Sequence, residues 1–422
     1  MESAPIGKFA ERVGADVEND SENQIMILAV KIRLNPTKKQ EELFWKSAGT
    51  ARWAYNYFLG ESERIYEEEG RTVTEGEVRK KINNELKPTT HTWLKEVGSN
   101  VMKQAVKDAN EARQRWFDGV SGKPKFKCRH KCKISFYVNY ESLKRTKDGF
   151  QGEKIGVVKT YQPLPKLEKG QKYSNPRISF DGLNWFLSVG HEQEFEDVEL
   201  TGESLGIDVG VKELAVCSDG EIKPNINKSK EIRRLEKKLR QAQRKASRKI
   251  EANIKGYKEY TKLVNGKEHK CRDPIFKVPL RELKNLQKQN AKIRDLHKRL
   301  TDIRTNHLHQ CSNEIVKTKP SRIVMEHLNV KGMMKNRHLS KAIARQKLYE
   351  FKRQIKYKCQ KYGIEFIQAD RWYPSSKTCS SCGQIKKDLK LKDRIFTCLC
   401  GFKLDRDLNA SINLANYQIQ GA

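Results

Sequence analysis

The chain is 422 residues long, more than one ordinary hydrophobic core can organise, which predicts two or more domains. It carries 85 Lys and Arg against 53 Asp and Glu, a formal net charge of +32, and a compact fold so charged repels itself unless a polyanion neutralises it. With no apolar run of about eighteen residues and no signal peptide of basic start and apolar middle, membrane-spanning and secreted classes are excluded and nucleic acid is the expected polyanion. The ten cysteines then belong to a reduced, cytoplasmic chain: Cys379, Cys382, Cys398 and Cys400 form close pairs and the others are mostly scattered, the pattern of a metal site rather than a disulfide framework.

Residues 1–25 are polar, acidic and without periodic apolar pattern, which predicts a disordered leader, with Met26 as the start of the folded part. Ile27–Leu34 is a strand candidate ending at Asn35-Pro36. Thr37 follows as a helix N-cap with Gln40 completing a capping box. Helical patterns run to about Phe117, broken near Gly70, Pro88 and Gly98, and 119–133 is a connector rich in Gly, Pro and Lys. Residues 134–200 alternate like short antiparallel strands, with a hinge at Asp181-Gly182. A new domain is expected from Glu203: a strand at Ser204–Asp208, a second at Val211–Cys217, then a helix over Lys228–Ile250. That helix holds eleven Lys or Arg and two Glu, with Ile232, Leu235, Leu239, Ala246 and Ile250 on one face. Residues 253–278 lack periodicity and suggest an irregular polar excursion. A long helix resumes near Leu280, and the heptad spacing of Leu286, Ile293, Leu296, Leu300 and Ile303 predicts an antiparallel hairpin with the basic helix. Then come a strand at Ser321–Glu326, a helix at His338–Tyr362, a strand at Ile364–Ala369, the cysteine module and a closing helix at Leu408–Tyr417.

Three acids stand at strand ends or a helix start: Asp208 in Leu205-Gly-Ile-Asp-Val-Gly210, Glu326 after Arg322-Ile-Val-Met, and Asp407 in Asp405-Arg-Asp-Leu-Asn-Ala410. A carboxylate inside an apolar strand is costly unless a cation meets it. Clustered carboxylates holding two Mg²⁺ ions, with Mn²⁺ as a substitute, can activate water and steady the leaving oxygen of a phosphodiester. Any one of these acids alone reads as a cap or an ion-pair partner; their order along the chain, with a cysteine module beside the third, points to catalysis.

On these residues the chain resembles the TnpB family of insertion-sequence proteins. Gly206-Ile-Asp-Val-Gly-Val-Lys-Glu-Leu-Ala215, Ile323-Val-Met-Glu-His-Leu-Asn-Val330 and Asp405-Arg-Asp-Leu-Asn-Ala-Ser-Ile-Asn413 are similar to its three RuvC motifs, and Tyr373-Pro-Ser-Ser-Lys-Thr-Cys-Ser-Ser-Cys-Gly383 to the start of its zinc ribbon. The resemblance runs from about Leu28 to Leu414. It implies an α/β multidomain fold: an RNase H-like RuvC nuclease core over 203–372 and 403–422 with a helical insertion at 228–316, and a zinc ribbon at 373–402 that loads the target strand. An N-terminal β-barrel-like wedge at 26–36 and 118–202 would be interrupted by a helical recognition lobe at 37–117. It implies an RNA-guided DNA endonuclease, a guide RNA from the element's end, double-stranded DNA bearing a short flanking motif, and a monomeric ribonucleoprotein in a prokaryotic cytoplasm, on the nucleoid when bound to DNA. Asp208, Glu326 and Asp407 match the family's catalytic positions; Asp405 either tunes the site or caps the helix that Asp407 begins. Two departures stand out: His327 replaces the usual Asp, at a position a strand points away from the site, and the second cysteine pair, Cys398-Leu-Cys400, is one residue short.

The paired cysteines, each pair followed by a glycine that supplies positive φ (Gly383, Gly401), suit one structural tetrahedral Zn²⁺. Cys128-Arg-His-Lys-Cys132 and His269-x-Cys271 have no matching second half and face phosphate more naturally than metal. Nucleic-acid contacts are expected on the basic helix at Arg233, Arg234, Lys237, Lys238, Arg240, Arg244 and Lys245. A second basic stretch, Lys123, Lys125 and Lys127 around Phe126, is expected to meet backbone or stack a base, and Arg52 and Asn56, outward of a Trp53–Tyr57 core, to read base edges. Three alternatives share much of this sequence: a miniature type V CRISPR effector, a nuclease-inactive RNA-guided repressor and a strand-joining transposase.

Overall fold

The computed structural model describes residues 25–129, 131–194, 198–264, 266–390 and 393–418. The expected leader therefore lies, but for Ile25, outside the described residues, as does His130.

The N-terminal half opens on β1 (Ile25–Asn35) and passes into α1 (Lys38–Glu69), where Thr37 and Gln40 form the expected capping box. Helices α2 (Glu75–Lys81) and α3 (Ser99–Phe117) follow. Six short strands come next: β2 (Ile134–Tyr137), β3 (Lys144–Thr146), β4 (Gly149–Gly152), β5 (Gly156–Thr160), β6 (Ser174–Phe180) and β7 (Trp185–Glu194). With β1 they make a seven-stranded antiparallel sheet in the order β2-β6-β7-β1-β5-β4-β3, in which β1 pairs with β7 along most of its length and with β5 at its end. Among the described residues no pairing joins β2 to β3, so the expected barrel-like sheet is not closed by hydrogen bonds between these edges. Helices α1 and α3 pack against this sheet. Phe44, Phe58 and Val106 of α1 and α3 share one apolar core with Ile32, Phe136 and Leu187 of the sheet.

The second half is built on a mixed sheet, order β10-β9-β8-β13-β14. β8 (Thr201–Val209) runs longer than its apolar stretch predicts, while β9 (Ala215–Cys217) is shorter because 211–214 form the turn. After β10 (Ile222–Lys223) comes the basic helix α4 (Lys230–Glu251). The segment expected to be irregular is an antiparallel hairpin, β11 (Ile254–Val264) on β12 (Lys267–Phe276), with one register shift between Ile254 and Gly256. Most of its side chains are solvent-exposed, so the period of two that marks a half-buried strand is absent. Helix α5 (Lys284–Lys317) returns along α4, and Ile232, Leu235, Leu239, Leu296 and Leu300 form the seam the heptads predict. The chain then runs through β13 (Pro320–Met325), a short α6 (Val330–Met333), α7 (Ser340–Gln346), α8 (Leu348–Lys361) and β14 (Glu365–Gln368). The single helix expected over 338–362 is broken at Lys347, whose φ of 53° ends one helix and opens the next. A small β15 (Ile395–Thr397) and β16 (Lys403–Asp405) pair precedes α9 (Arg406–Ala415).

Helices cover both faces of the mixed sheet. Leu205, Ile207 and Val209 pack with Leu308 and Ile315 of α5 and Phe351 and Ile355 of α8. The alternate residues of β8, Ser204, Gly206 and Asp208, therefore point to the opposite face, where Val324 and Ile367 pack with Leu414 of α9.

Candidate functional site

The way α9 lies on β8 brings three carboxylates together. Gly206 has no room for a side chain: a Cβ there would sit 1.9 Å from the Ser411 carbonyl oxygen and 2.4 Å from the Ala415 nitrogen. Two residues earlier, the Ser204 hydroxyl donates to the Ala415 carbonyl at 2.6 Å. The helix therefore runs antiparallel to the strand, with Ser204 at its last turn and Gly206 one turn in. Two strand residues cover about 6.6 Å and four helix residues about 6.0 Å, so the next step sets Asp208 beside Asp407. The neighbouring strand supplies the third acid. β8 and β13 are parallel, with Val324 opposite Gly206 and Met325 opposite Ile207, which sets Glu326 beside Asp208 at the carboxyl ends of both strands. Arg322 locks the far end, donating to the Ser204 hydroxyl at 2.8 Å and to the Ala415 carbonyl at 3.0 Å.

The electrostatics follow from burial and like charge. Burial raises the Asp208 carboxyl well above its ordinary range, and the charges of Glu326, Asp407 and Asp405 add to it, while Arg406 opposes them. Burial and the Asp407 charge push Glu326 up to about 7. Asp407 has cationic neighbours, with Arg406 at 3.2 Å and Arg394 at 3.9 Å. Asp405 is exposed and caps α9, accepting from the backbone N–H groups of Asp407 at 2.9 Å and Leu408 at 3.2 Å, while its charge also acts on Asp208. His327, also exposed, lines the cleft beside Glu326. A cleft of about 230 Å³, bounded in part by Val209, Glu326, Asn329 and Arg371, opens beside the site.

The cysteine module closes on itself despite its shortened second pair. The Cys379 and Cys400 sulfurs are 3.8 Å apart, Cys382 and Cys398 are 3.6 Å apart, and all four lie within 4.8 Å of one another. A tetrahedron with metal–sulfur bonds of about 2.3 Å has edges of about 3.8 Å, so the four thiols fit a zinc ion. Gly383 and Gly401 have φ of 75° and 88° and donate their N–H groups to the Cys379 and Cys398 carbonyls, the tight turns their spacing predicts. The backbone N–H of Cys400 holds the Cys398 thiol down at about 7. Among the described residues this is the one cluster of potential ligands so close; the three carboxylates do not close to that span.

Two residues that sequence reasoning passed over join this module to α9. Asn409, fully buried, accepts from the Ser380 N–H at 3.0 Å and donates to the Thr378 carbonyl at 2.7 Å. Asn413 donates to the carbonyls of Ser375 at 2.8 Å and Thr378 at 2.7 Å. The signal was available in the alternation of Asn409, Ser411 and Asn413, polar groups too frequent for an apolar helix face.

Comparison with known proteins agrees with this layout. Models described as a probable transposase, a helix-turn-helix domain and a Cas12f1-like TNB domain match residues 186–337, 26–71 and 349–414. A putative RNA-guided DNA endonuclease of Streptomyces pristinaespiralis is 29% identical over 92% of this chain and 88% of its own length. A TnpB-like protein, L79, of Acanthamoeba polyphaga mimivirus is 32% identical over 35% of this chain and 30% of its own. The chain is thus similar to TnpB-like proteins and to RNA-guided DNA endonucleases. In fold, this chain resembles a Cas12f1 chain solved in complex with single-guide RNA and target DNA, with a TM-score of 0.54 at 15% identity over 90% of this chain and 83% of that one. The segment matched as helix-turn-helix is here strand β1 followed by the single long helix α1.

The basic positions of this chain separate into surface and scaffold. On α4, Glu236 is held by Arg304 at 2.9 Å and Arg345 at 2.7 Å, and Glu231 by Arg299 at 3.3 Å. Arg233, Arg234, Lys237, Lys238, Arg240, Arg244 and Lys245 are exposed, with no carboxylate partner among the described residues. Asn56 belongs to the scaffold: its amide accepts from the Lys127 N–H at 2.7 Å and donates to the Lys127 carbonyl at 3.0 Å, clamping that connecting segment to α1. The amide that was expected to meet base edges is thus engaged. Lys127 lies 3.6 Å above the Tyr55 ring, and burial lowers its pKa. Lys123 pairs with Glu63 at 2.9 Å, Lys125 is exposed, and Arg52 lines a cavity between α1 and α3. No helix among the described residues is long and apolar enough to cross a membrane.

Proposed function

We propose that this chain is an RNA-guided, metal-dependent endonuclease that hydrolyses phosphodiester bonds in guide-matched DNA. The observation that carries the reading is the convergence of Asp208, Glu326 and Asp407 from strand ends and a helix start, with burial and mutual repulsion raising the first two carboxyls. Such a group is stable in its ionised form only beside a cation. The oxygen donors suit Mg²⁺ or Mn²⁺, and the pair of ions would supply an activated water and charge stabilisation for the leaving oxygen.

In this reading the mixed sheet is an RNase H-like RuvC core over 203–372 and 403–422. Asp208 and Glu326 offer adjacent carboxylates from a rigid parallel pair, and Asp407 joins them from a helix whose position Gly206, Ser204 and Arg322 fix. The ribbon at 373–402 holds one structural Zn²⁺ through Cys379, Cys382, Cys398 and Cys400, loads the target strand and, through Asn409 and Asn413, braces α9. The outer face of α4 follows the phosphates of guide RNA or heteroduplex, while the N-terminal half acts as wedge and recognition lobe beside a short flanking DNA motif. Sequence specificity comes from guide pairing. The names of the relatives support this reading, since the Streptomyces protein is described as a putative RNA-guided DNA endonuclease.

The test is to express the chain with its flanking DNA, sequence the RNA that copurifies, and present the ribonucleoprotein with plasmids carrying the matched sequence beside a library of flanking motifs. Cleavage of matched plasmids in Mg²⁺ is expected. RNA transcribed from the element's end is the expected guide, and a repeat-derived guide would assign the chain to the CRISPR alternative. Binding without cutting across the library, with Mg²⁺ or Mn²⁺ supplied, would overturn the nuclease.

A further inference from the structure

A cleft of about 670 Å³ opens between the N-terminal parts of α1 and α3 and strand β2, within the range of about 300–1,000 Å³ that small-molecule pockets occupy. Its floor is apolar, from Ala48, Val101 and Ala105, and Trp45 and Phe136 add aromatic surface. Gly49 also lines it, inside a 32-residue helix. Glycine weakens a helix interior, and here no close packing requires it: a Cβ on Gly49 would meet no atom within 4 Å. The missing side chain keeps the cleft deep.

The remaining lining is cationic. Asp108, the one carboxylate, is taken by Arg177 through two bonds of 2.7 and 2.8 Å. Lys127 lines the cleft from its seat on the Tyr55 ring, and Arg52, Arg129 and Lys133 have no carboxylate partner among the described residues. Five cations against one anion around an apolar floor call for a ligand with an anionic end and a flat apolar end. A nucleotide has that shape, and single strands are held by this pairing of charge with ring surface.

We propose that the cleft receives one unpaired nucleotide of a nucleic-acid strand, its base over the floor beside Gly49 and its phosphate between Arg52 and Lys133. The inference rests on the chain being a nucleic-acid-binding protein, but not on its cutting anything. It is tested by equilibrium dialysis of the full zinc-loaded chain, stripped of RNA, against 5′-AMP, 5′-dAMP, ribose 5-phosphate and inorganic phosphate. A nucleotide should bind at least about tenfold more tightly than ribose 5-phosphate or inorganic phosphate. Gly49→Leu, which fills the floor, should weaken it about tenfold or more. Gly49→Ala should bind within about threefold of the parent and melt no lower, as a helical alanine replacing glycine should. Preference for AMP over dAMP identifies an RNA strand and preference for dAMP a DNA strand, while equal binding supports a nucleotide site that makes no contact with the 2′-hydroxyl. Should Gly49→Leu fail to fold, Arg52→Gln serves in its place with the same expected loss. Equal binding of ribose 5-phosphate and nucleotide, or nucleotide binding indifferent to both substitutions, overturns the proposal and leaves the carboxylate site untouched, because no cleavage is measured.

Discussion

The four cysteines and the three carboxylates of this chain occupy neighbouring ground but are assembled in opposite ways. The cysteines lie within residues 379–400 and their sulfurs are already at tetrahedral spacing. The carboxylates come from residues 208, 326 and 407, do not close to the span of the sulfurs, and two of them, Asp208 and Glu326, resist ionisation. Thiols can share protons and stay together without an ion, whereas carboxylates in low dielectric repel until a cation arrives. A structural site can thus be preformed by local turns, while a catalytic one depends on a sheet and helix rigid enough to keep mutually repelling groups in place.

Zinc loss should be the largest effect. The double variant Cys379→Ser, Cys398→Ser should retain none of the about one Zn²⁺ per chain that a four-thiolate site holds, and its ribbon should lose protection in hydrogen exchange. Elemental analysis decides the matter, and zinc unchanged in the double variant would remove the assignment. The carboxylate site should instead be broken by packing. Gly206→Ala places a Cβ against α9 backbone that cannot rotate away, at a cost of about 1–3 kcal/mol. Cleavage should fall far more than zinc content, so a parallel loss of both would contradict the separation of the two sites.

The two sites should also answer pH in opposite directions. Burial and the Asp407 charge raise Glu326 from 4.5 to about 7, so the metal-free folded state binds more protons than the unfolded chain between those values. That contribution to stability is fully present below about 4.5 and is lost as pH rises through about 7. Glu326→Gln should therefore match the metal-free parent in thermal stability at low pH and exceed it at pH 8 by about 1–3 kcal/mol. Zinc, which needs thiolates, should instead be released as pH falls. A variant no more stable than the parent at pH 8 would show that the Glu326 carboxylate is not under strain. The smallest effect belongs to Asp405→Ala: loss of an N-cap costs about 1 kcal/mol, and cleavage should persist.

Much of this was legible in the residues, for identifiable reasons. The cysteine turns depend on local spacing and on two glycines, and both glycines have the positive φ expected of them. The α4–α5 seam follows from periodicity over many turns. The positions of Asp208, Glu326 and Asp407 followed from motif resemblance, but their convergence rests on long-range facts: the parallel register of β8 with β13 and the approach of α9 to Gly206. The hairpin β11–β12 escaped notice because neither face is buried, and the break at Lys347 because no Gly or Pro marks it. Asn56 misled because an outward-facing amide on α1 looks free until the connecting segment at Lys127 arrives to bind it.

The central claim is that the three carboxylates cut and do not hold the target. The most direct measurement runs plasmid cleavage and guide-dependent DNA binding on the same ribonucleoprotein preparations of the parent, Asp208→Ala, Glu326→Ala and Asp407→Ala. Each substitution should reduce cleavage to the level seen with Mg²⁺ chelated, because metal-activated water is lost, while binding stays within about threefold of the parent, since pairing and phosphate contacts lie elsewhere. Cleavage at the parent rate by Asp208→Ala or Glu326→Ala, or a loss of binding that matches the loss of cleavage, would contradict the account.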